Sequence, residues 1–167
     1  MGLAIDIRDF GAIPNDTSAG AMAANSLAFR LVQAQMQHVV GGIDYSWGGR
    51  VFVPPGVFYL DDSIHIVRAV ELFGSGVRGE SVLVLPPHAS LIVEVEATAD
   101  DGGSGSDCII RDLQLWSAEQ WDFSKEPYVD DPVTFAGFST GTPGIKLNAK
   151  AILQRLLIRG FTGTAIE

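Results

Sequence analysis

Apolar and polar positions divide the chain into one helical segment and a long series of short strands. Residues 21–40 contain good helix formers throughout, residues suited to helix N-caps precede them at 15–18, and Gly41-Gly42 provides a C-terminal stop. The apolar positions of this segment recur at near-helical spacing: Leu27, Leu31, Ala34 and Val39. We therefore predict one α-helix over 21–40, with Leu27 and Leu31 on its buried side.

The remaining segments are short apolar runs separated by Gly, Pro, Asp and Ser, a pattern typical of strands and turns. Between Gly49 and Leu60, a first run ends at Pro54-Pro55-Gly56, because proline donates no N–H to a ladder, and a second run starts directly afterwards. Ile5 to Phe10 is predicted to form a strand before the helix. The other predicted strands are 50–53, 57–60, 63–67, 70–73, 81–85, 91–95, 108–115, 144–147, 151–158 and 164–167.

A weak internal repeat indicates how these strands are arranged. The segment from Ile109 to Leu115 resembles the segment from Ile152 to Ile158, and Ile145 and Ile166 occupy equivalent places 21 residues apart. This period suits a parallel β-solenoid, in which successive coils bury their inward side chains against one another. An antiparallel sandwich is the alternative.

Three stretches resemble the opening of the pectate lyase-like right-handed β-helix family, to which phage tailspikes and many polysaccharide lyases and hydrolases belong. They are Asp9-Phe10-Gly11-Ala12, the run from Gly48 to Tyr59, and Leu72-Phe73-Gly74-Ser75-Gly76. The resemblance implies that the helix caps the open end of the solenoid, and that this chain is the N-terminal part of a longer protein. One departure is Ala24-Asn25-Ser26, where the family usually has Asp-Asp-Thr.

The predicted fold class is therefore all-β, a right-handed parallel β-helix with an N-terminal capping α-helix. Residues 1–47 are expected to form the first strand and the capping helix. Residues 48–167 are expected to form the first coils, with an aromatic-rich insertion at 116–142.

Composition and charge exclude several partners. A chain of 167 residues with 47% apolar and 19% charged residues fits one globular domain. The net charge of −9 argues against nucleic acid and anionic membranes, since both require a basic face. Cys108 is the single cysteine, which excludes an internal disulfide and a cysteine metal cage. No signal peptide or membrane-spanning apolar run is visible, and we predict no membrane partner.

Three motifs suggest chemistry, and each has a simpler structural explanation. Gly74 to Gly79 matches GxGxxG, but a strand follows it where a dinucleotide site needs a helix. Residues 102–109 fit a single copy of a calcium nonapeptide that normally occurs in tandem. The acidic doublets at 61–62, 100–101 and 130–131 are adjacent residues, which point to opposite faces of a strand. We predict no catalytic residue, no metal site and no cofactor.

The insertion at 116–142 is the candidate binding segment, because aromatic rings stack on sugars and nearby acids accept hydrogen bonds from sugar hydroxyls. The candidate carbohydrate-binding residues are Trp116, Trp121, Asp122, Tyr128 and Asp130. Aromatic residues are equally characteristic of subunit interfaces, and we favour an interface or self-packing for this segment.

The function predicted from these features is a carbohydrate-directed module of tailspike or fibre type, which caps and scaffolds a solenoid. Polysaccharide is the expected ligand, and a virion tail or the extracellular space is the expected location. One alternative is a polysaccharide lyase or glycoside hydrolase with catalytic coils beyond residue 167, and this chain alone is then expected to be inactive. Another is a purely structural attachment domain. We also expect a homo-oligomer, specifically a trimer, because tailspike relatives are trimers and Ile158 and Ile166 lie on an open final edge.

Overall fold

The computed structural model describes residues 4–40, 43–46, 49–67, 70–78, 80–94, 108–118, 141–149 and 151–167, with only the backbone described at 37–40, 43–46 and 67. Strand β1 (Ala4–Asp6) leads into a 3-10 helix (Ile7–Phe10), and one α-helix, α1 (Ala19–Met36), follows. The remaining strands are β2 (Gln37–Val40), β3 (Ile43–Ser46), β4 (Gly49–Phe52), β5 (Gly56–Tyr59), β6 (Ile64–Val67), β7 (Val70–Phe73), β8 (Ser81–Leu85), β9 (Leu91–Glu94), β10 (Cys108–Ser117), β11 (Ile145–Leu147) and β12 (Ala151–Arg159).

Most of these strands belong to two parallel sheets. A seven-stranded sheet has the order β1-β4-β7-β10-β8-β5, with β12 also paired to β10. A three-stranded sheet has the order β11-β9-β6, while β2 and β3 form an antiparallel pair. Strand β10 is central to the large sheet, because its first half pairs with β7 and its second half with β8.

The predicted fold class, an all-β right-handed parallel β-helix, was wrong. The described residues form a mixed fold, in which an 18-residue helix accompanies parallel sheets and the seven-stranded sheet curls into a half-barrel. The physical reason lies at Asp112 and Arg155, which have φ values of 59° and 48°. At each of these residues the chain turns without ending the strand. One long strand, β10 or β12, therefore covers the positions that two separate strands, β7 and β8, occupy in the neighbouring part of the sheet. In a solenoid, these two groups of strands would belong to separate sheets. Here they form one curled sheet, which does not wind as a clear right-handed solenoid.

The parallel register suggested by the internal repeat is present. Ile109 lies opposite Ile152, Leu115 lies opposite Ile158, and Ile145 forms a parallel bridge with Ile166. Strands β4 and β5, on either side of the proline pair, do not pair with each other. Strand β4 pairs with β7 and β5 pairs with β8, so the turn between them is not a hairpin.

The core is built from side chains at matching positions of successive strands. One row contains Leu72 and Ile110, a second contains Phe58, Leu83 and Leu115, and a third contains Ile64, Leu91 and Ile145. Every member of these rows is at most 1% exposed. Such rows remove apolar surface from water along the whole stack, which is the main favourable contribution to folding.

Helix α1 begins at a conventional N-cap and ends earlier than predicted. The Ser18 hydroxyl accepts a hydrogen bond from the backbone N–H of Ala21 at 3.2 Å, which satisfies one of the free amides of the first turn. The helix stops at Met36, and residues 37–40, which the prediction placed in the helix, form β2. The predicted strand over 5–10 is likewise shorter, because the chain turns into the 3-10 helix after Asp6.

The buried face of α1 differs from the predicted one. Leu27 and Leu31 were predicted to be buried, but their side chains are 47% and 41% exposed. The buried positions include Ala21, Asn25, Ala28, Phe29, Val32 and Met36, which recur with the helical period. Apolar residues occur on nearly every side of this helix, so their spacing did not identify the packed face, and the polar Asn25 lies on it.

Candidate functional site

The outer face of the large sheet carries a row of side chains from four neighbouring strands. Tyr59, Val84, Trp116 and Arg159 occupy matching positions on β5, β8, β10 and β12. The residues preceding the first three point into the core, so this row lies on the opposite face of the sheet, where Val84 itself is covered at 2% exposure. Neighbouring strands are about 4.8 Å apart, which places Tyr59 and Trp116 roughly 10 Å apart along the row. Both aromatic side chains are partly exposed, and Arg159 is exposed.

The indole of Trp116 is held in a defined orientation. Its Nε1 donates a hydrogen bond to Oε1 of Gln114 at 3.0 Å, and Nε2 of Gln114 donates to the Val77 carbonyl oxygen at 2.9 Å. Gln114 is only 3% exposed, so it links the ring to the turn after β7 as a buried anchor. The guanidinium carbon of Arg159 lies 5.8 Å from the ring centroid of Trp116, within the range of a cation–π contact.

A cavity of about 350 Å³ lies beside this row. Tyr59 and Val84 contribute to its wall from the row. Thr17 contributes from the segment before α1, Met22 from the first turn of α1, and the Pro86-Pro87 pair from the segment after β8. Apart from the hydroxyl groups of Thr17 and Tyr59, the side chains that line it are apolar. Its volume falls within the size range of small-molecule sites, and its lining suits an apolar group with few polar atoms.

A second cluster, of alternating charge, lies on the other half of the large sheet. Glu71 accepts hydrogen bonds from Nε of Arg50 at 2.6 Å and from Nε of Arg111 at 2.7 Å. Asp112 accepts from Arg111 and from Nη2 of Arg155, the latter at 2.7 Å. These contacts join arginine and carboxylate groups across four successive strands.

The charges in this cluster fix both carboxylates in their ionised form. Hydrogen bonds from Arg155 and then Arg111 lower the pKa of Asp112 to about 2, against the burial that would raise it. Burial also opposes ionisation of Glu71, but Arg50 and Arg111 outweigh it and lower the pKa of that carboxyl. A carboxylate that stays ionised at neutral pH is a poor proton donor. The cluster is therefore a cross-strand clamp, and it is not arranged as an acid/base pair.

Of the predicted carbohydrate-binding residues, Trp116 is described and lies in the outer row. Trp121, Asp122, Tyr128 and Asp130 lie outside the described residues, as do residues 102–107 and the acidic doublets at 100–101 and 130–131. Asp61 and Asp62 are exposed. The chain after the GxGxxG motif continues into strand β8, which confirms the strand predicted there and leaves no helix end to hold a pyrophosphate.

In the described parts of the chain, no three His, Cys, Asp or Glu side chains are grouped closely enough to hold a metal ion. No helix among the described segments combines the length and the apolar character needed to cross a membrane.

Three residues of the outer row and its support were not identified from the sequence: Tyr59, Gln114 and Arg159. Gln114 and Trp116 are two positions apart on one strand, a spacing that places them on the same face. Arg159 pairs with Trp116 in the same register that aligns Ile109 with Ile152. Extending the internal repeat by one residue beyond Leu115 would therefore have placed Arg159 beside Trp116.

Comparisons of this chain with protein-family models, curated proteins and solved structures found no match. The resemblance to the pectate lyase-like family therefore stays a prediction that depends on the sequence motifs alone.

Proposed function

We propose that this chain is a carbohydrate-directed module that binds a polysaccharide along the outer row of the large sheet. The observation that carries the proposal is the fixed, partly exposed indole of Trp116, which Gln114 orients and Arg159 flanks. An aromatic face held in one orientation stacks on the apolar face of a sugar ring with little loss of conformational entropy.

The rest of the row supports an extended ligand. Tyr59 offers a second ring two strands away, so an extended ligand that spans several sugar units could contact both rings. Val84 lies between the two rings and borders the cavity of about 350 Å³, which would accept an apolar substituent such as an acetyl group. The exposed guanidinium of Arg159 would donate hydrogen bonds to sugar oxygens at the other end of the row.

Charge favours a neutral polysaccharide as the ligand. The chain carries a net charge of −9, which repels a polyanion at long range, whereas a neutral glycan is unaffected. We assign the module binding and not bond cleavage, since Glu71 and Asp112 are both engaged by arginines. The proposal includes a location at a virion tail or in the extracellular space. The alternative proposal is that the chain belongs to a longer protein that degrades polysaccharides.

A glycan array probed with the full chain tests the proposal, followed by calorimetric titration of the best neutral glycan. We expect Trp116→Ala to weaken binding by about tenfold or more, equivalent to about 1.4 kcal/mol, and Trp116→Phe to retain part of the affinity. Ile13→Ala, at an exposed apolar residue outside the row, is the matched control. Circular dichroism verifies that each variant is folded. An array without any hit, or equal affinities for wild type and Trp116→Ala, would refute the proposal.

A structural attachment role is the second candidate, and the exposed apolar side chains of Ile152 and Ile166 favour it. They are 40% and 47% exposed, which leaves them available for contact with another molecule or with further chain. A homotrimer belongs to this candidate. Light scattering at micromolar concentration measures the mass, with Trp121→Ala and Phe135→Ala as probes of the insertion. A monomer would exclude the trimer, and a trimer that survives both substitutions would exclude the insertion as its contact.

A further inference from the structure

The nine residues that line the cavity beside the outer row come from four places in the chain: residues 17 and 22, 59–60, 84–87, and 118. Leu60, Val84 and Leu85 are at most 2% exposed and form its floor. Thr17 and Pro87 are exposed and lie at its mouth. The cavity therefore has an apolar closed end, and a hydroxyl group stands at its open end.

Hydrogen bonds to backbone groups hold two walls of the cavity in place. The carbonyl oxygen of Tyr59 accepts a hydrogen bond from Nδ2 of the buried Asn25 at 2.8 Å. The backbone N–H of Ala118 donates to the carbonyl oxygen of Leu85 at 2.9 Å. A preformed cavity binds its ligand with little cost for ordering the protein, so contacts with the lining residues contribute almost fully to affinity.

A proline turn forms the rim of the cavity. The backbone N–H of Ala89 donates to the carbonyl oxygen of Pro86 at 3.2 Å, which closes a four-residue turn. His88, the third residue of that turn, has a φ of 65°. Proline at the second position and a positive φ at the third are the features of a type II turn. Because the ring of proline fixes φ and leaves no rotamers to order, Pro86 and Pro87 present apolar rings at a fixed place.

The volume of the cavity limits the size of its ligand. An apolar cavity of about 150 Å³ in a protein interior holds a benzene molecule. The cavity here has about 350 Å³, roughly twice that volume. A substituent as small as an acetyl group would leave most of it unfilled, and unfilled space forfeits dispersion contacts. One six-membered ring or two fused rings would fill it better.

The lining residues favour an aromatic ring over an aliphatic one. The thioether of Met22 makes favourable contacts with ring edges, and Tyr59 supplies an aromatic partner. Proline rings likewise pack on aromatic surfaces, as in the recognition of proline-rich segments. We propose that this cavity binds an aromatic group of one or two rings, whose polar substituent points out past Thr17. The site requires no sugar, so it is independent of glycan binding at Trp116.

Calorimetric titration of the full chain with 2-naphthol tests this proposal, because the probe has two fused aromatic rings and one hydroxyl group. We expect a single site per chain with a Kd of about 0.1 mM or tighter, within the usual range of affinity per ligand atom. Decahydro-2-naphthol, which has the same carbon skeleton without aromatic rings, is the matched control and should bind about threefold or more weakly. No saturable binding of 2-naphthol, or equal binding of both compounds, would overturn the proposal.

Two substitutions test whether the probe occupies the cavity. Met22→Ala removes a lining side chain and should weaken 2-naphthol binding by about fivefold or more. Ala118→Leu should weaken it similarly by filling the space, and it keeps the backbone hydrogen bond to Leu85. Leu27→Ala is the control and should bind as wild type does, since Leu27 lies on the same helix as Met22, is 47% exposed and does not line the cavity. Circular dichroism verifies that each variant is folded. Unchanged affinity in a folded cavity variant would place the probe elsewhere and overturn the proposal.

Discussion

Replacing Asn25 with alanine tests how helix α1 is attached to the large sheet. Asn25 is 0% exposed and lies on the inner face of the helix. Its Oδ1 accepts a hydrogen bond from the backbone N–H of Ile13 at 2.6 Å. Its Nδ2 donates to the carbonyl oxygens of Ile13 at 3.1 Å and Tyr59 at 2.8 Å. One side chain thus joins the helix, the segment before it and the end of β5.

The expected loss follows from these three hydrogen bonds. A typical intramolecular hydrogen bond contributes about 1 kcal/mol net, so Asn25→Ala should lower the free energy of unfolding by about 3 kcal/mol. Alanine has no polar group to replace the amide, and the backbone groups of Ile13 and Tyr59 lose a buried partner. The helix propensity of alanine exceeds that of asparagine and would offset only a few tenths of a kcal/mol, roughly 0.5 at most.

Urea unfolding followed by circular dichroism measures this loss, with an unchanged m-value as evidence that the compactness of both states is preserved. Leu31→Ala is the matched control, since Leu31 lies on the same helix and is 41% exposed. That variant should lose less than about 1 kcal/mol, where a buried leucine would lose about 2–5. A loss below about 1 kcal/mol for Asn25→Ala, or equal losses for both variants, would refute this account of the attachment.

Two further predictions concern the turns. Gly56 has a φ of +138°, and an added Cβ would lie 2.7 Å from Cβ of Pro14, so Gly56→Ala should destabilise the protein by about 2 kcal/mol or more in urea titrations. The pKa of Asp112 is lowered from 3.8 to about 2, so its ionised form stabilises the fold above about pH 4, and this contribution is lost as the pH falls towards 2. Asp112→Asn tolerates the same backbone conformation, and it should lose less stability than wild type between pH 4 and 2. Identical pH dependence in the two proteins would contradict the clamp.

The positions of the strands could be predicted because their boundaries have strong local signals. The predicted strands 70–73 and 81–85 coincide with β7 and β8, which end at Gly74 and at Pro86. The merging of strands into one curled sheet could not be predicted in this way. At Asp112 and Arg155 the chain turns with positive φ, and neither position has the glycine that would mark such a turn in the sequence.

The contacts that attach helix α1 could not be predicted from the sequence for a different reason. Hydrophobic periodicity assigns apolar residues to the buried face, whereas Asn25 and Ser26 provide the polar contacts that orient α1. Ser26 accepts a hydrogen bond from the backbone N–H of Asp61 at 3.0 Å, beside those of Asn25. Asn25 and Ser26 belong to the Ala24-Asn25-Ser26 segment, which differs from the Asp-Asp-Thr that is usual in the pectate lyase-like family. At the candidate site, aromatic content identified Trp116, but Tyr59 and Arg159 join it through long-range strand register.

The one-residue turns at Asp112 and Arg155 also have a consequence for how this protein can change in length. The strand halves on either side of the turn are joined by residues 53–55 in the first layer, 74–80 in the second, Asp112 in the third and Arg155 in the fourth. In all four layers the strands on either side of the connecting segment keep the same pairing register. The length of the connecting segment therefore does not affect the strand pairing. This corner is therefore a natural place for loop grafting, where a recognition loop could be inserted or removed by evolution or design while the sheet stays in register.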